Sequence, residues 1–404
     1  MLKWHGMVTH AKLLRQGLEE VATKDEHYRA DVVRWIREFV GHHDADFGDL
    51  IRALPGVDPI VVRMHLDDAA SGLSSSIRWT RYDSVVSKDD PLPVPHPLDF
   101  DWRFTNATLR SLSDELLEAG SRRTILGAPS LWLSLRDRKP STSPCLFDAN
   151  PLIVRSVSDI KAQEVSITNL LADPFEVVTS DIVFADPPWY PEHLKAFSWV
   201  GSSLLDARGV LYLSVPPVGT RPGVERERAE LLSWTNKLGL TPRCIRSGAL
   251  GYAMPPFERA ALSAAGILPF VPHDWRRGDL IVFERTGDIQ VSRPQVHDKP
   301  WSERTIDGIR IKIDVSAPAT GTDPNLVSVI DGDVLPSISR RDDRRGAVHV
   351  WTSGNRVFGC AAPNRLLEII DTLIGGALPT SPSDRSAAMS IKVLVEQEKR
   401  DLAV

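Results

Sequence analysis

The chain has 404 residues, enough for two or three domains with a sizeable buried core. Its 42% apolar and 25% charged residues are ordinary for a soluble globular protein, and a net charge of −5 with a pI near 6.1 argues against a globally basic nucleic-acid binder, leaving room only for a local basic patch. Cys145, Cys244 and Cys360 lie far apart without metal-ligand spacing and read as reduced thiols, and no metal site is expected. Residues 1–12 lack the apolar core of a signal peptide, and no run approaches the ~18–20 apolar residues of a membrane span. A cytoplasmic protein with no membrane contact is the expectation.

In chain order, residues 9–23 and 25–41 carry apolar residues at helical spacing, among them Leu13, Leu18, Val32, Ile36 and Val40. A short helix from Phe47, a Pro55-Gly56 turn, a second helix from Ile60 and possible strands near Ile77–Tyr82 follow, the order of a winged helix-turn-helix. In the second helix Asp67 and Asp68 offset Arg63 and His65, so residues 1–90 read as a packing or homodimerisation domain rather than a DNA reader. The proline-dense stretch 88–99 marks a boundary. Thr105 or Asn106 then caps a helix with Leu109, Leu112, Leu116 and Leu117 on one face.

From Arg123 strands and helices alternate, with strands expected at Arg123–Leu126, Pro144–Phe147, Glu164–Leu171, Asp181–Ala185, Gly209–Val215, Arg243–Arg246 and Asp279–Glu284. That alternation predicts a Rossmann-like, doubly wound α/β sheet over residues 100–290, with its ligand at the carboxyl ends of the strands. Residues 300–404 read as an α+β appendage. Its strands are expected at Ile306–Val315, Leu326–Ile330, Val334–Ser339 and Ala347–Val350, with a helix at Asn364–Leu373 and a final stretch that docks as a helix or frays.

The most informative stretch is Asp181-Ile182-Val183-Phe184-Ala185-Asp186-Pro187-Pro188-Trp189-Tyr190. An apolar strand delivers Asp186 to a turn stiffened by two prolines. A carboxylate and a neighbouring backbone carbonyl can each accept an N–H of a flat amine, while Trp189 supplies a wall to stack on. The same stretch also reads as an ordinary strand ending in a Pro-stiffened turn. On the nucleotide side, Gly127 ends the first strand and Asp148 ends the second ~20 positions later, the offset expected of an acid that takes ribose hydroxyls. Ser130 lies at the start of the next helix, and Asn169 with Asp173 at the third strand tip could reach an adenine amino group. Tyr190, Tyr252, Phe257 and Glu258 are candidate substrate contacts, the last three in an expected loop. His193 reads more readily as a solvent-facing helix residue than as a proton relay.

The Asp186-Pro187-Pro188-Trp189 run resembles the signature of class I S-adenosylmethionine-dependent enzymes that modify amino groups. The layout over roughly residues 40–215 resembles the branched-chain polyamine synthases, aminopropyltransferases on a class I methyltransferase scaffold with a winged-helix-like N-terminal module. The matched features are Phe100-Asp101 and Thr105 before a helix, Leu126-Gly127, Asp148 and Asp186-Pro187-Pro188-Trp189. The resemblance implies cofactor contacts from Asp101 and Thr105 as well as Gly127, and S-adenosylmethionine or its decarboxylated form as cofactor. The chain departs at the first loop, Gly127-Ala128-Pro129-Ser130. It lacks both the several glycines of a methyltransferase loop and the aspartates of the polyamine synthases, so a polyamine substrate is not implied.

In the appendage, Arg340, Arg341, Arg344 and Arg345 lie close in sequence to Trp351-Thr352-Ser353-Gly354-Asn355-Arg356, which suits phosphate contact with base stacking, although Asp342 and Asp343 also make a charged turn. The leading expectation is methyl transfer to an amino nitrogen on a small molecule or a nucleic-acid base. Aminopropyl transfer and a catalytically inactive binding module are the alternatives.

Overall fold

The computed structural model describes residues 25–41, 45–54, 56–71, 77–82, 91–138, 140–157, 165–170, 172–173, 179–296, 299–337, 339–340 and 342–402. The expected helix at 9–23 lies outside them. Three helices open the described chain: α1 (25–41), α2 (Phe47–Ala53) and α3 (Pro59–Ala70). Asp46 and Asp58 cap α2 and α3 by accepting the N–H groups of Gly48 and Ile60. Their apolar faces, with Val32, Ile36, Leu50 and Val62, bury against Leu262, Ile267, Val271 and Trp275 from much later in the chain. Of the strands expected near Ile77–Tyr82, the described residues show one bridge, Asp46 to Arg78.

After α4 (Asn106–Ala119) the chain builds a seven-stranded sheet. Its elements are β1 (Arg123–Leu126), α5 (Pro129–Asp137), β2 (Cys145–Asp148), α6 (Pro151–Val157), β3 (Val165–Ile167), β4 (Ser180–Ala185), α7 (Pro191–Leu204), β5 (Leu205–Val215), α8 (Val224–Asn236), β6 (Leu240–Gly251), α9 (Pro256–Ala264) and β7 (Arg277–Arg285). The strand order is β3-β2-β1-β4-β5-β7-β6, parallel except that β7 runs antiparallel to both its neighbours. Apolar clusters cover both faces, which is why Ile125-Leu126 of β1 and Ile182–Ala185 of β4 are apolar without alternation. The segment expected as a loop at 252–259 becomes α9 from Pro256, because Pro255-Pro256 fixes the φ of a helix start.

The remainder packs as a second, antiparallel sheet. β8 (Ser302–Ile306), β9 (Ile309–Ile313), β10 (Val327–Ser328), β11 (Val350–Thr352) and β12 (Val357–Gly359) take the order β10-β12-β11-β9-β8, backed by α10 (Pro363–Ile374) and α11 (Pro382–Leu402). The run expected as one strand at 306–315 is a hairpin, because Asp307 and Gly308 both take positive φ (49° and 84°), the conformation of a tight two-residue turn. The described residues of the expected strand Val334–Ser339 form none, and Val334 makes only a bridge to Arg356. Residues 343–347 form a 3-10 turn where the start of a strand is expected. The final stretch docks along α11 through Ala387, Ile391, Leu394 and Val395.

Candidate functional site

Two cavities meet at the carboxyl ends of β1, β2 and β4. The larger is a cleft of about 980 Å³ with Gly127, Asp148, Asn169, Asp101 and Asp186 on its α/β side and Lys299, Trp301, Arg304, Lys312, Arg340 and Arg345 on the side of the second sheet. The smaller, about 150 Å³, lies on the other side of Asp186 and is walled by Phe100, Trp102, Trp189, Tyr190, Tyr252 and Trp275. Phe100, Trp102, Asp186 and Pro188 line both.

Asp186 is placed by β4, whose register with β1 sets its backbone N–H on the Leu126 carbonyl at 3.1 Å. A relay of side chains fixes its carboxylate. Trp189 Nε1 donates to Ser214 Oγ (3.0 Å), Ser214 and Tyr252 share a hydrogen bond of 2.8 Å, and Tyr252 Oη donates to Asp186 Oδ1 (2.8 Å). Burial pushes the Asp186 carboxyl up to about 7, with the Asp101 charge adding to it and the Ser214 and Tyr252 hydroxyls opposing. Gly278 on β7 permits this packing, since a Cβ there would stand 2.9 Å from the Trp189 ring and 3.1 Å from Tyr252. The Pro188 carbonyl accepts the Tyr190 N–H at 2.7 Å, which closes the turn.

On the cleft side Gly127 takes φ +67°, and a Cβ on it would approach the Asp186 carbonyl oxygen and Phe197 at 3.3 Å. Asp148 is 9% exposed at the end of β2, and Oδ1 accepts the Asn150 N–H at 2.8 Å. Burial pushes its carboxyl up to about 7, with Asp101 and Asp99 adding to the effect. Asp101 pairs with Arg103 at 2.9 Å. Phe100, between two aspartates, sits in the left-handed region at φ 56°, an unfavourable conformation for a bulky residue held where both cavities need its ring.

The neighbouring segment is clamped to the second sheet. Asp99 pairs with Arg310 and Lys312, and Arg310 also bonds the Val94 carbonyl at 2.9 Å. Burial alone would raise the Asp99 carboxyl, but Lys312 and Arg310 hold it down to about 2. His96 Nε2 lies 3.1 Å from the Trp351 carbonyl.

Of the residues the sequence singles out, Asp186, Pro187, Pro188, Trp189, Tyr190 and Tyr252 converge on the smaller cavity, and Asp101, Gly127, Asp148 and Asn169 on the cleft. Thr105 and Ser130 are outside both linings, and the Thr105 hydroxyl caps α4 by accepting the Thr108 N–H. Phe257 packs edge-on against Trp102 at 5.0 Å, and Glu258 pairs with Arg276, so both stand behind the aromatic wall as its support. His193, expected to face solvent, is 1% exposed and lines the cleft, because α7 begins at Pro191 and turns it inward. The expected base-stacking surface is corrected too. Trp351 is 1% exposed with its indole N–H on Asn355, and Ser353 and Asn355 are fully buried. Arg356 is committed to Asp401. Sequence reading misses Ser214, the Asp58 and Arg276 contributions to the smaller cavity, and Arg304 of the cleft's far wall, whereas Arg340 and Arg345 of that wall belong to the arginine run it singles out, whose Arg341 lies outside the described residues.

The strand order and the site at the β1/β4 switch point define the class I methyltransferase fold. Comparison of the sequence with protein-family models and with curated proteins finds no match. Among solved structures the chain is similar to a branched-chain polyamine synthase mutein from Thermus thermophilus, crystallised with N4-aminopropylspermidine and 5'-methylthioadenosine, with TM-score 0.53, 14% identity, and 69% of this chain and 96% of that one covered. The branched-chain polyamine synthase from the same organism, with the same two ligands, gives TM-score 0.50, 15% identity and the same coverages. A 16S rRNA N2 G1207 methyltransferase from T. thermophilus, in complex with AdoMet and guanosine, is more distant (TM-score 0.30, 15% identity, 55% and 51% covered).

Proposed function

We propose that the chain is an S-adenosylmethionine-dependent transferase that moves a methyl group to an amino nitrogen held at Asp186. The observation that carries this reading is the position of Asp186 on both cavities, with its carboxylate fixed by the Tyr252 hydroxyl. In this reading residues 1–90 and 300–404 flank a catalytic domain over 100–290.

The cleft fits the cofactor. Asp148 offers a carboxylate on its wall for ribose hydroxyls, Gly127 leaves the first loop without a side chain where the backbone must come close, and the α5 N-terminus has no side-chain cap of its own. Asn169 stands on the same wall toward the base. When bound, S-adenosylmethionine supplies an electrophilic carbon on a sulfonium centre. Asp186 and the Pro187 turn accept amine N–H groups and so fix the nitrogen lone pair toward the cleft. Trp189, Tyr252 and Phe100 exclude water and stack a flat acceptor, and the ionised Asp186 takes up the developing positive charge.

A second reading, aminopropyl transfer, draws on Asp58, which adds a carboxyl group to the aromatic-walled cavity and suits an amine acceptor that carries a further, non-reacting ammonium group. A thermal-shift series with S-adenosylmethionine, its decarboxylated form and S-adenosylhomocysteine tests both. A ligand at about 100 times its Kd stabilises the fold by ~2.7 kcal/mol, so its melting point rises. Failure of all three to shift the melting point sinks the enzyme reading in favour of a binding module.

A further inference from the structure

Two separate anchorages of the chain meet at Phe100. On its N-terminal side the second sheet holds the segment. His96, fully buried, accepts the Leu98 N–H at Nδ1 (3.1 Å) and so presents its Nε2–H to the Trp351 carbonyl of β11, also at 3.1 Å. Asp99 meets Arg310 and Lys312 of β9, and Arg310 reaches on to Glu303 of β8. On the C-terminal side the α/β domain holds it. The Thr105 N–H donates to the Gly251 carbonyl at 2.9 Å, and the Arg103 carbonyl accepts the Ala253 N–H at 2.8 Å, which lays residues 103–105 against the end of β6. Asp101 is fixed by Arg103. Asp99 also accepts from Asn150 Nδ2 at 2.9 Å, so it ties the second sheet to the end of β2 as well.

Between these anchorages Phe100 stands at φ 56° and ψ 31°. There the Cβ of a bulky residue crowds its own backbone, and glycine is the residue that takes the conformation freely. Such a conformation persists only where the surroundings over-determine it. The two anchorages do so, and the ring they project lies on the lining of both cavities, 5.6 Å from the Tyr190 ring in an edge-on contact. Arg310 is 1% exposed and outside both linings, so its route to the site runs through Asp99.

We propose that Arg310 and Lys312 of the second sheet are positioning residues of the site, which act through Asp99 to hold Phe100 in its left-handed conformation and its ring at the junction of the two cavities. This role deepens the reading of the cleft as a cofactor site and rests on it for the binding measurement, whereas the stability measurement is independent of it.

The experiment is a double-mutant cycle on the full chain, read by thermal unfolding and by isothermal titration with S-adenosylmethionine and S-adenosylhomocysteine. Phe100→Ala and Phe100→Gly both remove the ring, but only glycine takes the left-handed backbone without cost. Phe100→Gly is therefore expected to melt about 2 °C or more above Phe100→Ala. In an Arg310→Gln background the segment relaxes, and the difference should vanish or change sign. Should Arg310→Gln fail to fold, Lys312→Gln and Asp99→Asn give the same comparison. Arg365→Gln, which loses an ion pair with Asp384 behind the same sheet, is the control and should leave the difference unchanged. In titration, Phe100→Gly and Arg310→Gln are each expected to lose ~10-fold in cofactor affinity, and the double variant no more than either alone. Lys312→Arg keeps a cation on Asp99 and should retain most of the affinity. A Gly–Ala difference that is absent from the parent or persists in every clamp background, full affinity in Phe100→Gly, or losses that add in the double variant each overturn the positioning role. If no cofactor binds the parent while the Gly–Ala difference still depends on the clamp, the transferase reading falls and the hold of the second sheet on Phe100 stands.

Discussion

Tyr252 donates its hydroxyl to Asp186 at 2.8 Å across 66 positions of chain, and so ties the Asp-Pro-Pro-Trp turn to the end of β6. The bond fixes the Asp186 carboxylate and, with Ser214, opposes the rise in its pKa. Tyr252→Phe keeps the ring and removes the donor. It is expected to lower turnover ~10-fold or more and to move the acid limb of the pH–rate profile above the value near 7 set by Asp186. A profile that does not move would remove Tyr252 from the role of positioning residue.

Asp186→Asn keeps the shape but places an NH₂ against the amine N–H. Turnover is expected to fall ~10²-fold, with cofactor binding little changed, because Asp148 and Gly127 are elsewhere on the cleft. The sign of its effect on stability depends on pH. A carboxyl raised to about 7 binds more protons in the folded than in the unfolded chain between pH ~4 and 7, so stability is lost as pH rises through that window. The Asn variant cannot ionise, and its melting point is expected to match the parent near pH 4 and exceed it at pH 8. A variant that unfolds at both pH values would make Asp186 a structural turn residue.

Asp148→Ala is expected to weaken cofactor binding by at least ~1.5 kcal/mol, the scale of a charge-assisted hydrogen bond to ribose. Titration calorimetry at pH 8, where the parent carboxyl is ionised, gives the full effect, and the loss should shrink toward pH 6. Equal affinities would return Asp148 to its bond with the Asn150 N–H alone.

Gly278→Ala puts a methyl 2.9 Å from the Trp189 ring and 3.1 Å from Tyr252. Overpacking of this kind costs ~1–3 kcal/mol, read as a lower melting point. The acceptor KM should rise while cofactor affinity holds. An unchanged KM would show that the aromatic wall tolerates displacement.

The α/β alternation is legible because the central strands end in apolar runs buried on both faces, Ile125-Leu126 and Ile182–Ala185, and the expected bounds Arg123–Leu126 and Asp181–Ala185 agree with β1 and β4 to within a residue. The Asp186 turn and Asp148 stand out in the sequence because each ends an apolar strand, and the structure places both on the cleft. Ser214, Asp58 and Arg276 do not, because nothing local marks a residue that only tertiary packing brings to the cavity. The Asp307-Gly308 pair within a β-like run is a usable signal, since a two-residue turn of that composition closes a hairpin. The α9 helix was hidden by Pro255-Pro256, which starts helices as readily as it shapes loops.

The overlap of the two cavities is narrow, confined to Phe100, Trp102, Asp186 and Pro188. The rest of the smaller cavity is assembled from distant parts of the chain, with Gly56 and Asp58 from the first helices and Ser337 and Ser339 from the second sheet region. Gly56 is pressed so closely on Thr220 that a Cβ would meet its hydroxyl at 2.6 Å, and Tyr28 bonds the Gly219 carbonyl at 2.7 Å, so the first helices are seated on the rim. Substitutions in those peripheral segments can therefore reshape the smaller cavity while the four shared residues stay constant, which makes the flanking segments, and not the central sheet, the place where this scaffold can evolve or be re-engineered.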